Sequence, residues 1–100
     1  MTYHDVEVPS ERIAEFCRSN RIRRLSFFGS ILRDDFGPES DIDVLVEFEA
    51  GVRIGLRFFG LERELGEILC RKVDLHTLGF LGRRFRDEVL EQAVDQYVAA

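Results

Sequence analysis

The sequence predicts an α/β (α+β) domain in which a small β-sheet is flanked by helices. Three observations predict it. Asp41 to Phe48 alternates apolar and polar residues, the period of a half-buried strand. The stretches around Ile13, Leu61 and Val89 carry apolar residues three and four apart, the period of an amphipathic helix. The length of 100 residues suffices for one hydrophobic core, so residues 1–100 are expected to form a single domain.

Pro9-Ser10 opens the first element: Ser10 is a candidate N-cap, Ile13, Phe16 and Cys17 follow at helical spacing, and Ser19-Asn20 closes it. Leu25 to Phe28 reads as a short strand stopped by Gly29-Ser30. Ile31 to Ser40, broken by Gly37-Pro38, suggests a helical turn and then a loop. In the strand Asp41 to Phe48, Ile42, Val44, Val46 and Phe48 face one way, and Asp41, Asp43, Leu45 and Glu47 the other. Beyond Glu49-Ala50-Gly51, the spacing of Ile54, Phe58, Leu61, Leu65 and Ile68 predicts a helix with one apolar stripe. Lys72 to Thr77 gives a strand with Asp74 opposite Val73 and Leu75. From about Gly82, Phe85, Val89, Ala93 and Tyr97 fall four apart and predict a closing helix. The order helix, strand, strand, helix, strand, helix leaves the strand order in the sheet open.

Composition narrows the function. The 14 basic side chains against 19 acidic ones give a net charge of −5, which argues against a general nucleic-acid binder. Every cation but Lys72 is arginine, so a cationic phosphate contact would use a guanidinium fork. The groups Arg21-Arg23-Arg24 and Arg83-Arg84-Arg86 read first as solvated faces, with docking of an acidic partner or of a triphosphate as the other readings. Cys17 and Cys70 lie far apart without a C-x-x-C pair or a suitably spaced His, so a structural zinc site is not expected and both thiols are expected to be buried. No basic stretch followed by an apolar run opens the sequence and no stretch approaches a membrane span, so a cytoplasmic location is expected.

One spaced motif carries chemistry. Ten residues after Gly29-Ser30 comes Asp41-Ile42-Asp43, whose two carboxylates share a strand face and can converge on one cation. Asp74 offers a third carboxylate from a separate strand. Three acids at one point repel strongly without bound cations, and magnesium takes carboxylate, water and phosphate oxygens. A pair of such ions can hold the attacking and leaving oxygens of a displacement at phosphorus. Gly29 at a strand end admits a phosphate close to the backbone, and Ser30 adds a hydroxyl donor. Arg33 is open to two readings, a phosphate contact or an ion pair with Asp34, Asp35 or Glu39. His76 shares the face of Asp74; a hydrogen-bonded His at the strand end is the simpler reading.

The run Phe28-Gly29-Ser30 through Arg33, with Ser40-Asp41-Ile42-Asp43-Val44-Leu45-Val46 and Val73-Asp74-Leu75, resembles the DNA polymerase β-type nucleotidyltransferase superfamily. Within it the chain is similar to the minimal nucleotidyltransferases, antitoxins paired with HEPN-domain ribonuclease toxins. The resemblance spans roughly Arg21 to Thr77. It implies a polymerase β-like fold with a small mixed sheet, two Mg2+ ions, and ATP as nucleotide donor. It further implies that Gly29 and Ser30 hold the triphosphate, that Asp41 and Asp43 bind both metals, and that Asp74 completes the metal site and helps deprotonate the attacking hydroxyl. The activity implied is protein adenylyltransfer: AMP passes from ATP to a tyrosine of a cognate HEPN toxin and silences it, with the toxin the expected partner in a hetero-oligomer. A non-catalytic antitoxin that inhibits by stoichiometric complex formation is the alternative. Nucleotidylation of a small molecule such as an aminoglycoside is disfavoured, because no segment remains for a substrate-binding lobe.

Overall fold

The computed structural model describes residues 2–100. Thr2–Tyr3 (β1) and Val6–Glu7 (β2) form a short antiparallel hairpin that the sequence reading did not anticipate. His4 turns it at φ 54°, and Val6 and Val8 reach the core. Helix α1 spans Ser10–Ser19 and buries Ile13, Phe16 and Cys17, as its spacing predicts. Ser10 is not its cap: Pro9 takes that position, the Ser10 side chain makes no capping bond, and the Pro9 carbonyl accepts from Ile13 N at 2.9 Å.

Strand β3, Ile22–Phe28, begins earlier than the apolar run indicates. Exposed Arg23 and Arg24 conceal its start, and its pairing is irregular between Ile22 and Arg24. A 3-10 turn over Gly29–Leu32 follows, then a loop, then β4 at Ile42–Phe48. Helix α2, Arg57–Leu69, buries Leu61, Leu65, Ile68 and Leu69. It ends at Cys70 in the left-handed region with φ 56°. Cys70 is therefore exposed at a helix end, against the expectation that both thiols are buried, whereas Cys17 is buried. Burial pushes the Cys17 thiol up to about 12, with Arg18 only partly opposing.

Strand β5, Val73–Thr77, and a 3-10 turn at Leu78–Phe80 lead to α3, Arg83–Gln92. The expected closing helix stops there: Ala93 turns extended and Val94–Val98 is a strand, β6. Spacing by four carried on through Tyr97, yet the β-branched and aromatic side chains of this stretch equally suit a strand. The open edge of β3 decides between them, because pairing satisfies backbone groups on both strands. Ser26, a buried polar residue, donates its hydroxyl to Asp95 Oδ1 at 2.6 Å and ties the two strands together.

The sheet runs β5-β4-β3-β6. β3 is antiparallel to both neighbours and β4 is parallel to β5, so the sheet is mixed. Ile42, Val44, Val46, Val73 and Leu75 join α1 and α2 in the main core on one face. On the other face Phe28 and Leu45 pack against Leu81 and Val89 beneath α3. Glu62 of α2 guards the edge of β5 by accepting from Leu75 N at 2.8 Å. No helix among the described residues is long and apolar enough to cross a membrane.

Arg71 fixes the loop that precedes β4. Its guanidinium donates to the Ser40 carbonyl at 2.9 Å and to the Gly37 carbonyl, lies 3.4 Å from Asp5 Oδ1, and covers the Phe36 ring at 4.5 Å. His4 stacks on Phe36 and its Nε2 lies 3.0 Å from the Ile31 carbonyl, so hairpin, loop and sheet are joined. Replacing Arg71 by Met leaves two carbonyls without their charged donor, and we expect a stability loss of about 2 kcal/mol, read from the urea midpoint at constant slope. An unchanged midpoint would show that the loop holds itself.

Candidate active site

The site lies on the α3 face of the sheet. The parallel register of β4 and β5 sets Asp43 directly beside Asp74, and the antiparallel register of β3 and β4 sets Phe28 opposite Asp43. Because side chains alternate, the strands that bury Val44 and Leu75 on one face must aim Asp43, Asp74 and His76 at the other. Gly29, with φ 76°, follows at the end of β3; a Cβ built there would collide with the Asp43 carboxylate. The backbone thus passes close against the acid, and only glycine meets both demands.

Asp43, Asp74 and His76 offer ligand atoms within 4.8 Å of one another. His76 Nε2 lies 3.3 Å from Asp74 Oδ2 and 3.7 Å from Asp43 Oδ1. It is buried and without an aligned hydrogen-bond acceptor, and the ring meets Phe28 edge-on at 5.2 Å. The Asp43 carboxylate beside the ring raises the His76 pKa above the ordinary imidazole value; burial opposes this and Asp74 reinforces it. The two acids favour positive charge at this point, and paired carboxylates fit a hard cation such as magnesium.

The remaining expected residues are placed less uniformly. Asp41 immediately precedes β4 and lies 3.9 Å from Lys72 Nζ, outside the close group of Asp43, Asp74 and His76. Ser30 is half-buried in the 3-10 turn, where its carbonyl accepts from Arg33 N at 2.9 Å. Arg33 takes the ion-pair reading, with Nε 3.3 Å from Asp35 Oδ1, and it also lines the cleft. That cleft, about 400 Å³, is walled by Phe28, Gly29 and Arg33 on one side, by Asp43, Asp74 and His76 at the floor, and by the inner face of α3. The α3 residues Phe85, Glu88, Val89 and Gln92 were missed as site residues. Their three-and-four spacing signals one helix face, but not which floor that face covers.

Acids in register on neighbouring strands, packed against a tight glycine turn, bring Gly29, Asp43 and Asp74 of the motif together. Residues 10–98 match the nucleotidyltransferase domain family, and the chain belongs to it. It is 39% identical over 74 residues to a relative in Methanocaldococcus jannaschii named as a protein adenylyltransferase, covering 74% of this chain and 78% of that one. It is 34% identical over 73 residues to the protein adenylyltransferase MntA of Thermococcus cleftensis, covering 73% of each. A solved structure described as a minimal nucleotidyltransferase superposes with TM-score 0.72 at 32% identity, over 85% of this chain and 86% of that one. The same fold recurs, with TM-score 0.66 and 23% identity over 90% of this chain and 70% of that one, in a complex of a tri-AMPylated Shewanella oneidensis HEPN toxin with its MNT antitoxin. The mixed sheet flanked by helices that the resemblance implies is therefore present.

Two outcomes follow from the geometry. Gly29→Ala forces a Cβ into the Asp43 carboxylate in a backbone region that L residues disfavour, and should cost about 1–3 kcal/mol of stability, measured by urea unfolding. A cost near zero would mean that the turn relaxes freely. In the metal-free protein, the stabilisation from His76 is fully present below the ordinary imidazole value and is lost as pH rises through the raised one. The stability advantage of wild type over His76→Gln in EDTA should therefore shrink as pH is raised from about 6 to 9. A difference that stays constant with pH would contradict the placement of the ring between the acids.

Proposed function

We propose that the chain is a magnesium-dependent protein adenylyltransferase that acts as an antitoxin, transferring AMP from ATP to a tyrosine hydroxyl of a cognate HEPN toxin. The observation that carries this reading is the in-register pair Asp43 and Asp74 packed against the Gly29 turn. The names of the relatives and the AMPylated toxin in the related complex support the acceptor class.

Asp43 and Asp74, joined by Asp41 from just before β4, are the residues that would hold magnesium. The ion supplies positive charge to the phosphate oxygens when bound. Gly29 and Ser30 offer backbone N–H groups and a hydroxyl to the phosphates, and Arg33 adds a guanidinium from the cleft wall. Asp74, the more exposed acid, accepts the proton of the attacking tyrosine hydroxyl. The tyrosine oxygen bonds to the α-phosphorus, the bond from that phosphorus to the bridging oxygen breaks, and pyrophosphate leaves along the Gly29-Ser30 turn.

The structure leaves Leu56, Phe59 and Phe80 strongly exposed, and a binding antitoxin would use such a surface whether or not it catalyses. One experiment separates the two. With labelled ATP, magnesium and the cognate toxin, label should appear on the toxin and fall by at least roughly 100-fold when Asp41 and Asp43 are both changed to Asn, about 3 kcal/mol in the barrier. Neutralisation that persists with no label transferred would replace catalysis by stoichiometric binding.

A further inference from the structure

We propose that the inner face of α3 is the nucleoside wall of the cleft: Phe85 stacks the base and Glu88 accepts hydrogen bonds from the ribose hydroxyls. This inference rests on the nucleotide reading of the same site and goes beyond it, because it assigns the part of the ligand that the acids and the Gly29 turn do not contact.

The two sides of the cleft differ in chemistry. The turn side carries the features a phosphate needs, a glycine at positive φ and the guanidinium of Arg33. The α3 side carries none of them: Phe85, Glu88, Val89 and Gln92 present one ring, one carboxylate, one aliphatic side chain and one amide. A carboxylate repels a triphosphate and is satisfied by hydroxyl donors, so the uncharged half of the nucleotide belongs on this wall. Glu88 is exposed and makes no hydrogen bond or ion pair among the described residues. It also stands outside the close group of Asp43, Asp74 and His76 that marks the cation position.

Position along the helix assigns the roles. Val89, 2% exposed, locks α3 to Phe28 and Leu45 and so fixes the orientation of this face. Gln92 is next to Ala93 and the start of β6, where Val94 pairs with Phe27, and therefore lies at the end of the wall nearest Gly29. Moving away from the phosphates, Glu88 comes one turn later and Phe85 about one turn beyond it. Phosphate, sugar and base of a nucleotide occur in that order. Phe85 keeps 49% of its surface exposed, an apolar ring at a cleft mouth whose free face suits a purine. Stacking reads no base edge, so base identity is expected to matter less than the sugar hydroxyls.

The test is calorimetric titration of the full chain, with magnesium present, using ATP, 2′,3′-dideoxy-ATP and inorganic tripolyphosphate. Phe85→Ala should weaken ATP about 10-fold and leave tripolyphosphate unchanged, while Phe85→Trp should restore ATP binding. Glu88→Ala should abolish the preference of the wild type for ATP over the dideoxy analogue. Both side chains are exposed, so neither change removes core packing. The inference is overturned if Phe85→Ala affects ATP and tripolyphosphate alike, if it affects neither, or if the sugar preference is absent or survives Glu88→Ala. A wild-type chain that binds neither ATP nor tripolyphosphate overturns the nucleotide reading itself, which separates that failure from this one.

Discussion

The parallel pairing of β4 with β5 holds Asp43 and Asp74 side by side, and the rest of the structure is arranged around that contact. Two carboxylates in adjacent register repel each other. What keeps them together lies on the opposite face, where Ile42, Val44, Val46, Val73 and Leu75 are buried against α1 and α2. Each such side chain stabilises by about 1.5–3 kcal/mol on burial, more than a partly solvated like-charge pair costs at the surface. The core therefore imposes the juxtaposition, and the His76 ring lies beside both acids, 3.3 Å from Asp74 and 3.7 Å from Asp43.

Much of this was legible in the residues because it depends on period. The strand from Asp41 to Phe48 follows its alternation almost to the residue, and α1 buries the side chains its spacing selects. Helix α2 buries Leu61, Leu65 and Ile68 but starts after Ile54 and leaves Phe58 partly buried. Leu45, read on the same face as Asp43, is on that face and buried under α3. Pairing was not legible. Val94 to Val98 continues a helical spacing and becomes a strand only because β3 presents an unpaired edge, information that lies some 70 residues away. The hairpin at residues 2–7 is too short for any period to reveal.

The site divides in the same way. Gly29, Asp43 and Asp74 were readable because a glycine at a strand end and acids on strands are local statements. Asp41 shares the strand face in the alternation, yet it precedes the first paired residue and turns toward Lys72. Arg71 carries no local sign of its role, since its partners, Gly37 and Ser40, belong to a loop on the far side of β4 and α2 in the chain. Phe85 and Glu88 enter the cleft only because α3 crosses the acid-bearing face of the sheet.

The position of β6 has a consequence for synthesis. β3 occupies the second place among the main sheet's strands in space, but its partner on one side is the last strand in chain order. A chain emerging from the ribosome N-terminus first can pair β3, β4 and β5, and bring the two acids into register, while β3 still presents one bare edge. The acid pair forms early in this order, and the α3 wall is tethered at its far end only when Val94 to Val98 has been delivered. On this topology the acid-bearing half of the cleft precedes its completed form during translation, and the interval is one in which the β3 edge is open to any other strand.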